Sequence, residues 1–196
     1  MPYVTLDVLK DSMKITDDDR DDLLQRALNA AVGGINNTTG RRFDLDDTAQ
    51  ARVINPRRRV VCDEDGDHLL IKDIGSLDDL AVQIGTTSAW TTITSSVEAE
   101  PTDALDEGRP VTSLLRVAGG WPVGAGQRVR VTARWGWPQV PDVVAQATLI
   151  QAMRLFRRKD SPEGVTGSAE WGVVRLSRID PDVQALIQSL ILPGMA

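Results

Sequence analysis

The chain has 196 residues, with 28 acidic side chains against 22 basic, a formal net charge of −6, one histidine and one cysteine. A chain of this length buries well over half of its unfolded surface without a staple, so neither a disulfide framework nor a structural metal is required. The lone Cys62 excludes an internal disulfide, and one His with one Cys excludes the usual four-ligand zinc site. The negative balance argues against wrapping phosphate backbones by bulk electrostatics, and any relation to nucleic acid is expected to be local. The opening "MPYVTLDVLKDSMKI" has no basic segment ahead of an apolar one, and no apolar run approaches bilayer length. A soluble protein made in the cytoplasm, with no membrane partner, is expected.

Thr5 ahead of "LDVLKDSM" predicts a short capped helix, and Thr16 ahead of "DDDRDD" predicts the start of a second, because carboxylates near a helix N-terminus complement its dipole. Leu24, Leu28, Ala31 and Ile35 then form one apolar stripe that stops at "NNTTG", with Gly40 placed to end the helix. From 44 to 138 helical periodicity disappears, and short alternating runs are separated by turn signals such as "EDGD", "IGT" and "AGG". The clearest strand is "RVRVTARW": Val129, Val131, Ala133 and Trp135 alternate with Arg128, Arg130, Thr132 and Arg134, so one face is core and the other wet.

After "GWPQVP" the pattern is helical again, with Pro141 suited to a first turn. Residues 143 to 156 are apolar except at Gln146, Thr148, Gln151 and Arg154, so this helix must be covered on more than one side. Phe156 and Leu149 are expected to be core and Gln151 to tolerate alanine. Residues 160 to 179 read as a loop or loose hairpin, and Asp180-Pro181 opens a last helix with Val183, Leu186, Ile187, Leu190 and Ile191, stopped by Pro193-Gly194. The expected fold is α+β: a four-helix bundle core, residues 1–43 and 139–196, interrupted by a β-rich insertion domain, residues 44–138.

Residues with catalytic potential are few. His68 would have to serve any Ser-His-Asp or Cys-His arrangement, and it sits in "DGDHLLIK" at a turn-to-strand boundary where an exposed polar residue is ordinary. The run "DEDGD" fails as a calcium loop, because an EF-hand starting at Asp63 needs glycine where His68 stands and glutamate where Ile74 stands. No phosphate-binding, dinucleotide-binding, HExxH or CxxC pattern occurs. No catalytic residue, cofactor or metal is therefore expected. Arg157-Arg158-Lys159 complements the dipole at a helix C-terminus or meets an anionic partner. Of the tryptophans at 90, 121, 135, 137 and 171, Trp135 shares the apolar phase of its strand.

The segment "YVTLDVLKDSMKITDDDRDDLLQRALNAAVGGINNTTGRRF", followed after the β-rich stretch by "ARWGWPQVPDVVAQATLIQAMRLFRRKDSPEGVTG", resembles the head-to-tail connector proteins of tailed bacteriophages, also called adaptor or head-completion proteins. The likeness lies in the "ITDDD" helix start, the "TGRRF" exit, the "WGW" entry and the "RRKDSPEGV" exit, over residues 3–43 and 130–192. It implies a non-enzymatic subunit of a dodecameric ring beneath the portal, located in the virion, which enlarges the DNA channel and supports tail attachment. The implied partners are the portal, neighbouring copies, a further connector or tail component, and passing double-stranded DNA bound without sequence specificity.

Within that reading the expected partner-binding residues are Trp171, Val173, Val174 and Leu176 of the 160–179 loop, with Arg157 and Arg158, and the DNA-channel candidates are Arg128, Arg130 and Arg134. The rival reading is a small DNA-binding protein using those three strand arginines. If the insertion is separable, joining residue 43 to residue 139 through a short Gly/Ser linker leaves a cooperative helical unfolding transition by circular dichroism, because loop length costs little entropy.

Overall fold

The computed structural model describes residues 3–86, 88–158 and 180–192, together with the backbone of 165–166 and 174–175. It divides into two compact units, Met1–Arg41 with Val140–Ala196, and Arg42–Gln139.

In the first unit α1 spans Leu6–Met13, α2 Asp21–Thr39, α3 Asp142–Arg158 and α4 Pro181–Ile187. Thr5 caps α1, its hydroxyl accepting from the Val8 N–H at 3.4 Å. Helix α2 ends where glycine is needed: Gly40 adopts φ 69° and donates to the Asn36 carbonyl. Its start differs from the expectation at Thr16, for the helix begins at Asp21 behind Arg20, with no side-chain cap. The acids ahead of it have another use, because Lys10 of α1 binds Asp18 at 2.5 Å and Asp21 at 2.8 Å. These hydrogen bonds hold the Lys10 ammonium well above its ordinary pKa.

The apolar stripe of α2 (Leu24, Leu28, Ala31 and Ile35) is buried, and the first two residues and Ala31 join Val4, Leu9, Ala152 and Phe156 in one cluster. Gln151, expected to be tolerant, is only 5% exposed, and its Oε1 accepts from the Asp180 N–H at 3.3 Å. Asp180 caps α4 through the Asp182 N–H and takes Arg154 at 2.9 Å, so two of the polar positions on α3 hold the start of α4. Helix α4 is short, running into a 3-10 turn at Gln188–Leu190; Val183 and Ile187 are buried, whereas Ile191 is 38% exposed. Among the described residues no helix is long and apolar enough to cross a membrane.

The second unit is built on one long strand. Strands β1 Gln50–Ile54, β2 Val60–Cys62, β3 Asp67–Gly85, β4 Trp90–Thr92, β5 Val97–Glu100, β6 Val111–Arg116 and β7 Arg128–Trp135 form a seven-stranded sheet in which every pairing is antiparallel. The main path runs β1-β7-β3-β6-β5, with β2 and β4 also on β3. The first half of β3 lies between β2 and β6 and the second half between β7 and β4, with Ile74 paired to both Val111 and Trp135. Register shifts around Ile74 and Ser76 move the buried phase from Leu69 and Ile71 to Ile74 and Val82. An irregularity of that kind lets both halves of a bent strand face one core. That core adds Ile54, Val111, Leu114, Trp121, Val129, Val131, Ala133 and Trp135. The expected alternation of β7 is present residue by residue, each even position partly exposed and each odd position buried.

The expected helical-bundle core is therefore corrected. The fold is α+β and the described residues include four α-helices, but the seven-stranded sheet dominates and carries a hydrophobic core of its own. The bulged β3 breaks simple alternation, so its nineteen residues read as several short runs instead of the organising strand they form. Two further strands, β8 Val165–Thr166 and β9 Val174–Arg175, pair with each other.

Truncation of α3 should follow burial and bonding. Phe156→Ala should cost about 3–5 kcal/mol and Gln151→Ala about 1 kcal/mol, with exposed Gln146→Ala inside about 0.5 kcal/mol, measured by urea denaturation followed by far-ultraviolet circular dichroism.

Candidate functional site

Two clusters in the sheet unit contain residues that the sequence singled out. The first is the face of β7 turned away from the core. Register places Arg130 opposite Val53 of β1 on one side and Gln83 of β3 on the other, while Thr132 lies between Ala51 and Ala81 and Arg128 opposite Gly85. One strand further on, Thr92 and Trp90 of β4 pair with Gln83 and Gly85. Because directly paired residues share a face, Arg128, Arg130, Gln83, Thr92 and Trp90 belong to one surface.

The arginines of this face are held by neutral groups. Arg130 donates from Nε to Gln83 Oε1 at 2.7 Å, and its guanidinium lies 4.5 Å from the Trp90 ring centroid. Gln83 in turn donates from Nε2 to Thr92 Oγ1 at 3.1 Å. Arg134 donates from Nε to the Asp46 carbonyl at 2.9 Å, and Arg128 from Nη1 to the Gln127 carbonyl at 2.7 Å. Among the described residues none of the three pairs with a carboxylate. Thus the expected stripe Arg128, Arg130 and Arg134 lies on one face of one strand. Its supporting residues, Gln83 and Trp90, were missed by sequence reasoning, although the apolar phase of Val82 and Ile84 would have placed Gln83 on the opposite face.

The second cluster closes the sheet unit where the chain enters and leaves it. Buried Phe43 and Trp137 meet with ring centroids 5.2 Å apart, and Trp137 Nε1 donates to Asp73 Oδ2 at 3.0 Å. The Asp73 carbonyl accepts the Gly136 N–H at 2.9 Å, and the Asp46 N–H donates to the Trp135 carbonyl at 2.8 Å. Gly136 has φ 113°, and a Cβ there would lie 1.9 Å from the Asp44 carbonyl oxygen, so only glycine fits. Trp135 is fastened on its other side, its Nε1 donating to the Gln50 carbonyl at 2.7 Å and the Arg52 guanidinium lying 4.3 Å from its ring centroid. Burial pulls the Arg52 pKa down from its ordinary value, against the pull of the nearby Asp46 carboxylate. Asp46 also binds Arg42, which reaches Asp44 at 3.1 Å. The quoted motif residues Phe43, Trp135, Gly136 and Trp137 are therefore parts of one clasp.

The remaining expected residues are placed as follows. Arg157 is exposed and Arg158 partly exposed in the last turn of α3. Val174 lies in β9, described as backbone, whereas Trp171, Val173 and Leu176, with most of the 160–179 loop, lie outside the described residues. The "DEDGD" run forms the β2–β3 hairpin turn: Asp63 Oδ1 accepts from the N–H groups of Asp65 and Gly66 at 3.0 and 3.2 Å and lies 3.2 Å from His68 Nε2. Among the described residues no group of three or more His, Cys, Asp or Glu side chains is placed to hold a metal ion.

No protein-family model matches the sequence, and no curated protein matches it. Solved structures do match. A chain from the neck of an empty GTA particle, computed with C6 symmetry, superposes with a TM-score of 0.56 at 17% identity, over 97% of this chain and 92% of that one. A chain of the virion of a native gene transfer agent particle superposes with a TM-score of 0.51 at 18% identity, over 90% of this chain and 82% of that one. The fold is shared with these particle chains. The likeness spans both compact units and agrees with the connector resemblance carried by the "TGRRF" and "WGW" motifs.

Disturbing the clasp should destabilise the sheet unit. Trp137→Phe keeps an aromatic ring but removes the indole N–H that bonds buried Asp73, at an expected cost of about 1–3 kcal/mol. Gly136→Ala should cost more, since backbone strain of about 1–3 kcal/mol adds to a direct collision. Trp90→Phe, at a partly exposed position, is the mild control, all three compared by urea denaturation followed through tryptophan fluorescence.

Proposed function

We propose that this chain is a non-enzymatic structural subunit of a particle neck: a head-to-tail connector that packs side by side with copies of itself in an adaptor ring under a portal, extends the DNA channel and supports tail attachment. The observation that carries the proposal is the fold match to a neck chain over nearly the full length of both proteins. The ordered series of motifs read from the sequence supports it independently.

The physics of rings adds a requirement. A closed ring built from one kind of subunit buries two different surfaces on each copy through a heterologous contact that closes by rotation. The chain has apolar side chains available for such contacts. Val8 of α1, Leu23 of α2 and Val143 of α3 are each more than 40% exposed in the helical unit, as is Val61 in the sheet unit. Twelve copies is the number the family resemblance implies. On this reading the 160–179 loop and Arg157 and Arg158 contact a neighbour, the portal or the next neck component, and the protein resides in the virion.

The test is assembly. Native mass spectrometry and electron microscopy of the purified chain, alone and mixed with the portal protein of the same particle, should show rings or portal-bound rings. A chain that stays monomeric in both conditions and never joins the portal would overturn the reading.

A further inference from the structure

The outward face of β7 has a property that ring formation does not explain. Three arginines stand in one row with no carboxylate partner among the described residues, in a chain whose net charge is −6. With acids in excess, arginines set two and four residues apart along one strand without a carboxylate partner need another reason to be there. Their geometry supplies it. Arg130 and Arg134 each spend Nε on a fixed neutral acceptor, Gln83 Oε1 and the Asp46 carbonyl, and Trp90 backs the Arg130 plane. No described group accepts from the Nη atoms of either, so each guanidinium is oriented in advance with its terminal fork available. A fork of that kind matches the paired oxygens of a phosphodiester or a carboxylate.

From this we infer that the β7 face is a phosphate-tracking surface, on which Arg128, Arg130 and Arg134 contact the backbone of double-stranded DNA without reading its sequence, while Gln83 and Trp90 act as positioning residues. The inference rests on the neck reading for its setting and on the arginine geometry for its chemistry. Phosphate is favoured over an acidic protein surface by what surrounds the row. Thr132, Ala51, Ala81, Gln83 and Thr92 are small or neutral, Trp90 is occupied by Arg130, and exposed Val53, opposite Arg130, is a single aliphatic side chain beside the row, short of the apolar centre on which protein interfaces depend. At about 3.4 Å per strand residue, positions 128 to 134 span roughly 20 Å, long enough to meet several phosphates of a duplex. At the Arg134 end Ser76, the residue paired with Arg134, donates from Oγ to Asp78 Oδ2 at 2.9 Å, so a carboxylate stands at that end of the row. Three contacts opposed by a negative chain hold DNA weakly, as a passage through which DNA slides requires.

The experiment is a nuclear magnetic resonance titration of the full chain with a short mixed-sequence duplex at several salt concentrations. The Nε–H signals of Arg130 and Arg134 should shift on addition of DNA, equally for duplexes of different sequence. Three phosphate contacts predict that affinity falls about 40-fold between 50 and 200 mM salt, from a slope of roughly 0.9 per contact. Arg130→Gln should reduce that slope by about 0.9, whereas Arg130→Lys, which keeps the charge and serves as the folding control, should retain it.

Unchanged signals, or a slope unaffected by Arg130→Gln, overturn the inference. So does poly-glutamate of matched charge shifting the same signals at lower concentration than DNA, which would make the face a dock for an acidic protein. The same samples separate this inference from the neck reading: rings that form with no DNA-dependent shift refute the surface alone, and a salt-dependent shift in a chain that never forms rings refutes the neck reading alone.

Discussion

The sheet unit depends on bringing the two ends of a 98-residue excursion, Arg42–Gln139, to one place. The chain meets that constraint with a few contacts of unusual tightness. Phe43 packs on Trp137, Trp137 is pinned by buried Asp73, and Gly136 passes so close to the Asp44 carbonyl that no side chain fits. The backbone bonds from Gly136 to Asp73 and from Asp46 to Trp135 complete the closure. Because Trp135 is also a central core residue, the clasp and the hydrophobic core of the sheet share a side chain, and one is not disturbed without the other.

The same arrangement accounts for the position of the arginine face. Strand β7 ends in the clasp, so its phase is set by Trp135: with that side chain turned into the core, Ala133, Val131 and Val129 follow it and the three arginines must face outward. Arg134 is tied directly to the clasp through the Asp46 carbonyl. A surface feature with chemical potential is thus oriented by a core residue one position away. This separates the roles of the charged residues. Arg42 and Arg52 are occupied with Asp46, while Arg128 and Arg130 are supported by neutral partners only.

In the helical unit, polar residues do work that hydropathy assigns to apolar ones. Gln151 and Arg154 of α3 converge on Asp180, so the start of α4 is set by directional bonds from the middle of an otherwise apolar helix. At the other end of α4, Arg41 Nε donates to the Leu190 carbonyl at 2.8 Å and the Leu192 N–H to the Thr39 carbonyl at 2.9 Å. A helix of only seven residues is marginal by itself, and these bonds together with buried Val183 and Ile187 hold it in place.

What the sequence determined by itself is local and periodic. The Thr5 cap, the α2 stripe and its Gly40 stop, the alternation of β7 and the α3 and α4 segments all follow from side-chain spacing and backbone freedom within a few residues. The outward phase of Arg128, Arg130 and Arg134 was legible for the same reason. Tertiary structure decided what depends on residues far apart in the chain. The β3 bulges change its buried phase, and the strand organises a dominant sheet where a helical core was expected. Gln151 became buried because Asp180, 29 residues later, offers it a donor. Gln83 became the support of Arg130 across 47 residues, and Phe43 and Trp137 became one clasp. Periodicity carries no information about which distant partner completes a hydrogen bond or a packed pair, and those partners are what give this protein its sheet core and its candidate site.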